Sequence, residues 1–216
     1  MNQAPDFRHA FIEFAIQRGA LLFGDFQTKA GRNSPYFFNS GLFNDGESLN
    51  KLASFYADAA LASGVKFDMI FGPAYKGITL AAGLAMALAQ RGQNFPYAFN
   101  RKETKDHGEG GLTVGAKLAG RVLIIDDVIS AGTSARESVS IIRGAGAEPA
   151  GMIISVDRQE RGQRSLSAAE EVSQSEGIPV IAVASLANIV EYLAKRGGES
   201  DKIAKIEAYR AQYGAT

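Results

Sequence analysis

Apolar residues recur along the chain in two rhythms, and each predicts a different element. Steps of three and four mark helices. Phe7, Phe11 and Phe14 share one face of a segment over 6–18 that Gly19 ends. Leu49, Leu52, Ala53, Tyr56, Ala59 and Ala60 predict a second helix over 47–63, closed by Gly64. Between them the helical step is lost. Phe23, Phe26, Tyr36, Phe37, Phe38 and Phe43 stand among Gly24, Gly31, Pro35 and Gly41, a pattern of short strands and turns in a small N-terminal lobe.

Beyond residue 66 the rhythms alternate. A short strand over 67–71 stops at Gly72-Pro73, and a helix over 76–91 follows with Leu80, Leu84 and Leu88 in line. Residues 95–100 read as a strand and 101–113 as a polar, Gly-rich loop. The run Val122-Leu123-Ile124-Ile125 is apolar without alternation, as in a strand buried on both faces. A helix over 133–143 should open with a capping box, Ser134 with Glu137. Strands over 152–156 and 180–183 and helices over 186–195 and 200–213 complete the series. The fold class is therefore α/β, a parallel sheet with helices on both faces plus a small N-terminal hood. We expect one domain over 1–216, with 1–45 supplying most of the hood. Ligands of such sheets bind where the strands' carboxyl ends meet loops.

Composition narrows the chemistry. The 216 residues are 46% hydrophobic and 21% charged, which allows a sizeable core. Lys+Arg and Asp+Glu are 23 each, so no global field draws the protein to nucleic acid or a membrane surface. An anion site has to be local. The absence of Cys excludes disulfides, Cys-ligated zinc and a Cys nucleophile, and suits a cytoplasmic setting. Two His, His9 and His107, exclude a His-rich metal site. Asp6, Arg8 and Glu13 interrupt any signal-peptide core. The apolar stretch 78–89 falls short of the about 18 residues of a membrane span.

Chemistry concentrates after the run 122–125. There the chain continues Asp126-Asp127-Val128-Ile129-Ser130-Ala131-Gly132-Thr133-Ser134. A buried strand delivers two adjacent carboxylates to the sheet edge, and small residues lead straight into a helix. Backbone N–H groups at that helix start, with Ser and Thr hydroxyls beside them, make an anion cradle. Gly132 permits close approach of a phosphate. The carboxylates can accept hydrogen bonds from sugar hydroxyls. The bland alternative is an ordinary capped helix with solvated Asp, but a double Asp on a buried strand is costly without partners. Two nucleotide motifs fail: G-x-x-x-x-G-K-[ST] is absent, and G-x-G-x-x-G begins at Gly108 and Gly110 but meets Thr113 where its third Gly belongs.

Lys76 lies where a strand stops and a helix begins, placed to face an anion at a helix N-terminus. Otherwise it is an exposed Lys that the helix dipole disfavours. Arg101, Lys102, Lys105 and His107 gather four potential cations next to the glycines Gly108, Gly110 and Gly111. A lid closing on a polyanion needs both charge and hinges; a solvated loop has the same composition.

The segment 124–134 resembles the ribose-phosphate motif of the type I phosphoribosyltransferases. Four more segments resemble those of the orotate-specific branch of that family: Phe71-Gly72-Pro73-Ala74-Tyr75-Lys76-Gly77 its pyrophosphate loop, 101–111 its mobile catalytic loop, 29–39 its base-recognition segment, and Asp157-Arg158-Gln159-Glu160-Arg161-Gly162 the last. The likeness spans nearly the whole chain in the expected order. It implies transfer of the phosphoribosyl group from 5-phosphoribosyl-1-pyrophosphate to orotate, in pyrimidine biosynthesis. It also implies Mg²⁺ held through pyrophosphate and ribose hydroxyls, and a homodimer with shared active sites.

By the same resemblance Lys102, Lys105, His107, Asp126 and Asp127 are the expected catalytic residues. Lys29, Tyr75, Lys76, Arg101 and the stretch Val128, Ile129, Ser130, Ala131, Gly132, Thr133 and Ser134 join them in binding the sugar donor. Lys29, Phe37, Phe38, Ser130 and Arg158 are expected at orotate. Phe37 and Phe38 are otherwise ordinary core residues, and Arg158 otherwise a surface ion pair with Glu160 or Asp157. Bacterial relatives commonly have Thr where this chain has Ser130; the hydroxyl survives. The Ala74–Tyr75 peptide is expected to be cis when the sugar site is loaded. Two rivals are a purine- or uracil-specific relative and a non-catalytic regulator that keeps the fold.

Overall fold

A computed structural model of the chain describes residues 6–28, 31–105, 111–162 and 165–215, with the backbone alone at 104 and 105. The expected rhythms appear as helices α1 (Phe7–Gln17), α2 (Gly46–Ser63), α3 (Lys76–Gln90), α4 (Thr133–Gly144), α5 (Ala168–Glu176), α6 (Leu186–Arg196) and α7 (Ser200–Tyr213). The strands are β1 (Leu21–Gln27), β2 (Asn33–Phe38), β3 (Met69–Gly72), β4 (Tyr97–Lys105), β5 (Gly111–Gly115), β6 (Arg121–Ile125), β7 (Glu148–Asp157) and β8 (Val180–Ser185).

The main sheet runs β5-β4-β3-β6-β7-β8, and all neighbours are parallel except the edge strand β5. Its strands lack apolar–polar alternation because both faces are covered. Ile70, Leu123, Ile125 and Ile153 face a core shared with α1, α2, α3, α6 and α7. Their strand neighbours Met69, Phe71, Val122, Ile124 and Met152 face a second core with α4 and α5. The antiparallel pair β1–β2 stands apart as the hood.

Three local expectations are corrected. Residues 101–113 are not simply a loop: β4 continues to Lys105 and β5 returns from Gly111, pairing antiparallel through Asn100↔Thr113. Polar composition hid this hairpin because its outer face is solvated. The Ser134–Glu137 capping box does not form. Gly132 is the N-cap of α4, with φ +72, and no side chain caps that end. Ser134 therefore lies inside the helix, where it cannot act as the cap, and its hydroxyl donates to Asp126 Oδ2 at 3.0 Å. Finally, α5 lies in a stretch where no helix was expected, and it opens with the reciprocal Ser167–Glu170 capping box.

Candidate active site

The order of the sheet switches direction between β3 and β6, and the site forms where those strands end. Two glycines make the turn out of β3 possible. A Cβ on Gly72 would sit 2.0 Å from the Gly77 carbonyl oxygen, and one on Gly77 2.7 Å from that of Ile125. Only bare backbone lets the start of α3 lie this close to the end of β6. The Ala74–Tyr75 peptide is cis, and Asn100 Oδ1 accepts the Ala74 N–H at 2.8 Å. Tyr75 is 71% exposed, with Lys102 Nζ 5.8 Å above its ring.

Lys76, the first residue of α3, reaches across to the end of β6. Its Nζ donates to Asp127 Oδ2 at 2.5 Å and to Ser40 Oγ at 3.0 Å. Ser40 Oγ, from the turn after β2, donates to the same Asp127 oxygen at 2.7 Å. Asp127 is buried, and its charge is matched by an ammonium and a hydroxyl.

Asp126 is held differently. Its carboxylate accepts the Asp127 N–H at 2.9 Å and the Ser134 hydroxyl at 3.0 Å. Burial, with Asp127 beside it, raises its pKa to about 6 against these bonds. Beneath the pair, the buried Tyr56 hydroxyl donates to the Asp126 carbonyl at 2.8 Å and lies 2.6 Å from Ser155 Oγ. The Ser155 N–H donates to the Asp127 carbonyl. The acids therefore stand on a fixed backbone.

The chain from Val128 to Ser134 lines a cleft of about 250 Å³ together with Asp126. Gly132 cannot be replaced there, since its φ is left-handed and a Cβ would meet Val172 at 2.7 Å. A second cleft of about 240 Å³ shares Thr133 and Ser134 and extends to Ala74, Asn100 and Lys102. Arg101 Nη1 donates to the Gly111 carbonyl across the hairpin.

The base-side residues assemble from elsewhere. Arg158 follows β7 and meets Glu160; its guanidinium lies 5.0 Å over the Tyr36 ring. Phe37 is 38% exposed and stacks on Phe26 at 5.6 Å. Phe38 turns inward toward Phe11 and Phe43. Neighbouring strand residues point to opposite faces, so these two side chains do not share one surface. Lys29 and His107 lie outside the described residues, as does the side chain of Lys105. Ser40, Asn100, Tyr56, Ser155 and the packing role of Gly72 and Gly77 escaped the sequence reading. Of these, a strand-ending Gly with a second Gly five residues on, at a helix start, carried a usable signal.

Paired carboxylates at one strand end, a glycine-led helix start and a lysine from the neighbouring strand's turn thus meet at one edge of the sheet. Residues 43–186 match the phosphoribosyl transferase domain. The chain is 63% identical over 208 residues to the orotate phosphoribosyltransferase of Nitrosospira multiformis, covering 96% of this chain and 91% of that one. It is 62% identical over 209 residues to that of Laribacter hongkongensis, covering 97% and 98%. The structure of the Francisella tularensis orotate phosphoribosyltransferase matches with a TM-score of 0.87 at 45% identity, covering 95% of this chain and 99% of that one. The chain belongs to the orotate phosphoribosyltransferases of the type I family.

Proposed function

We propose that the cleft transfers the phosphoribosyl group of 5-phosphoribosyl-1-pyrophosphate to orotate, giving orotidine 5′-monophosphate and pyrophosphate on the way to UMP. The observation that carries this reading is the Lys76–Asp127 contact of 2.5 Å. It supports the reading because an ammonium and a carboxylate meet at the end of the strand that leads, through the glycine-capped turn, into α4.

The donor's 5′-phosphate takes the N–H groups and hydroxyls of 130–134. Asp126 and Asp127 accept the ribose hydroxyls. Tyr75, Lys76 and Arg101 line the pyrophosphate side. As the bond to pyrophosphate breaks, the ribosyl carbon gains oxocarbenium character and charge grows on the leaving group. Lys76, Lys102, Lys105 and His107 supply positive charge there. Lys29 and Arg158 meet orotate's carboxylate and ring oxygens, with the Ser130 hydroxyl near. The Phe37 side chain offers its ring, and Phe38 takes part through its backbone.

The described residues include no group of three or more His, Cys, Asp or Glu able to hold a metal by themselves. The donor set fits Mg²⁺ carried on the substrate, with Asp126 and Asp127 acting through ribose hydroxyls. When bound, that ion neutralises charge on the departing pyrophosphate. No helix among the described residues is long and apolar enough to cross a membrane; the cysteine-free composition suits the cytoplasm.

Orotate consumption with the pyrophosphate donor and Mg²⁺, beside uracil and a purine, tests the reading. Turnover should be confined to orotate; comparable turnover of uracil or a purine overturns it. The active unit is a homodimer in which each lid serves the neighbouring site. Lys105→Ala should lower kcat about a hundredfold. Mixed with a variant dead at Asp126 and Asp127, it should regain activity, since one site of the heterodimer is then intact. Verified subunit exchange without regained activity would place the lid in cis.

A further inference from the structure

Arg158 is not a loosely held surface arginine. Its Nε donates to Glu160 Oε1 at 2.8 Å and its Nη2 lies 2.5 Å from the same oxygen. Nη2 also approaches Ser34 Oγ of β2 at 3.4 Å. Both partners of the pair are largely buried, with side-chain exposures of 26% and 18%. An exposed pair would contribute little order, but here Glu160 is itself fixed. The Tyr209 hydroxyl of α7 donates to Glu160 Oε1 at 2.9 Å, and Arg32 of the loop into β2 approaches Oε2 at 3.4 Å. Tyr209 is 5% exposed, its ring edge-on to Tyr36 at 6.2 Å.

Backbone bonds stitch the same loop to the end of the chain. The Arg161 N–H donates to the Tyr213 carbonyl at 2.8 Å, and the Ala215 N–H to that of Gln159 at 2.9 Å. The Ala187 N–H donates to Gln159 Oε1 at 3.0 Å. The segment carrying Arg158 is thus anchored to α7 on one side and to the hood on the other.

We propose that Glu160 and Tyr209 are positioning residues for orotate: the C-terminal helix sets the angle at which Arg158 presents its guanidinium to the substrate carboxylate. A planar fork with one edge pinned offers the other at a fixed angle. Tyr209 holds the pin without adding charge. This rests on the reading above, in which Arg158 meets that carboxylate.

The test uses the full-length protein with steady-state kinetics in both substrates and a melting curve for each variant. Tyr209→Phe keeps the buried ring and removes the hydroxyl. It should raise the orotate KM by roughly three- to tenfold, leaving the donor KM and kcat at saturating orotate unchanged. Glu160→Gln should also raise the orotate KM. An unchanged orotate KM in Tyr209→Phe overturns the proposal. Equal shifts for both substrates alongside a lowered melting temperature also overturn it, because they mark a structural role. Tighter orotate binding in Glu160→Gln overturns it too, because Glu160 would then only compete with the substrate carboxylate. Arg158→Ala separates the two levels. If it leaves the orotate KM unmoved, the reading of Arg158 itself fails; if it raises that KM and Tyr209→Phe does not, the positioning role alone fails.

Discussion

On the proposed reading, the frame of the sugar end comes from two short stretches, 72–77 and 125–134, with Ser40 and the β4–β5 hairpin beside them, whereas the base end takes β2, the loop after β7 and α7. Strand ends of a buried parallel sheet hold the first. Its carbonyls are tied down by Tyr56 and Ser155, and its turn is so tight that a methyl group does not fit. The second is stitched from segments more than a hundred residues apart, Ser34 with Arg158 and Arg32 with Glu160. A ribose phosphate is common to many reactions, so a rigid frame suits it. A base is what distinguishes one reaction from another, and contacts gathered from separate segments can change one at a time.

The sharpest way to break this contrast is at Gly72. Gly72→Ala forces a Cβ to 2.0 Å from the Gly77 carbonyl, backbone that cannot step aside alone. Stability should fall by about 3 kcal/mol or more, with activity lost as α3 is displaced from β6. A soluble, active variant with an unshifted denaturation midpoint would show that the sugar end is softer than its packing indicates.

A smaller effect is expected at Asp126, whose pKa burial raises from 3.8 to about 6. A carboxyl harder to ionise folded than unfolded costs stability as it ionises. The cost should appear as pH rises from about 4 through 6 and be complete above it. Asp126→Asn lacks it, so near pH 7.5 the variant should be the more stable by up to about 3 kcal/mol, with the gap closing at pH 4. Melting curves across that range check it; a gap independent of pH removes the desolvation argument.

Ser40 gives the smallest expected change, and it tests whether the two ends are separate at all. Its hydroxyl reaches from the hood to Asp127 and Lys76, yet Asp127 keeps Lys76 without it. Ser40→Ala should raise the donor KM about two- to threefold and leave orotate's untouched. Equal rises in both would show one coupled unit and erase the distinction.

The same contrast explains what the sequence could tell. Val122 to Ile125, the two Asp and the glycine-led turn are contiguous, so their physics was legible from spacing alone. The base end was legible only through family resemblance, because no local pattern ties Tyr36 to Arg158 or Tyr209 to Glu160. The β4–β5 hairpin was missed since its polar face resembles a loop. At Ser134 the local capping rule misplaced the start of the helix: Gly132, with its left-handed φ, opens α4, so Ser134 falls inside it and turns its hydroxyl to Asp126. A Ser–Glu spacing alone does not tell a cap from the second residue of a helix.

The bond between Lys76 and Asp127 makes ammonium and carboxylate each other's counter-ion. On the proposed reading a donor's arrival is an ion exchange rather than an addition of charge: the ammonium would pass to a phosphate, and the vacated carboxylate would receive a hydroxyl. Either half alone leaves the swap unfinished. A bare phosphate strips Asp127 and leaves a buried carboxylate without its cation, while a bare ribose finds the acid already occupied. Affinity for a molecule carrying both groups should exceed what its fragments add up to, and the excess is a selectivity filter against free phosphate and free sugar that needs no further residue.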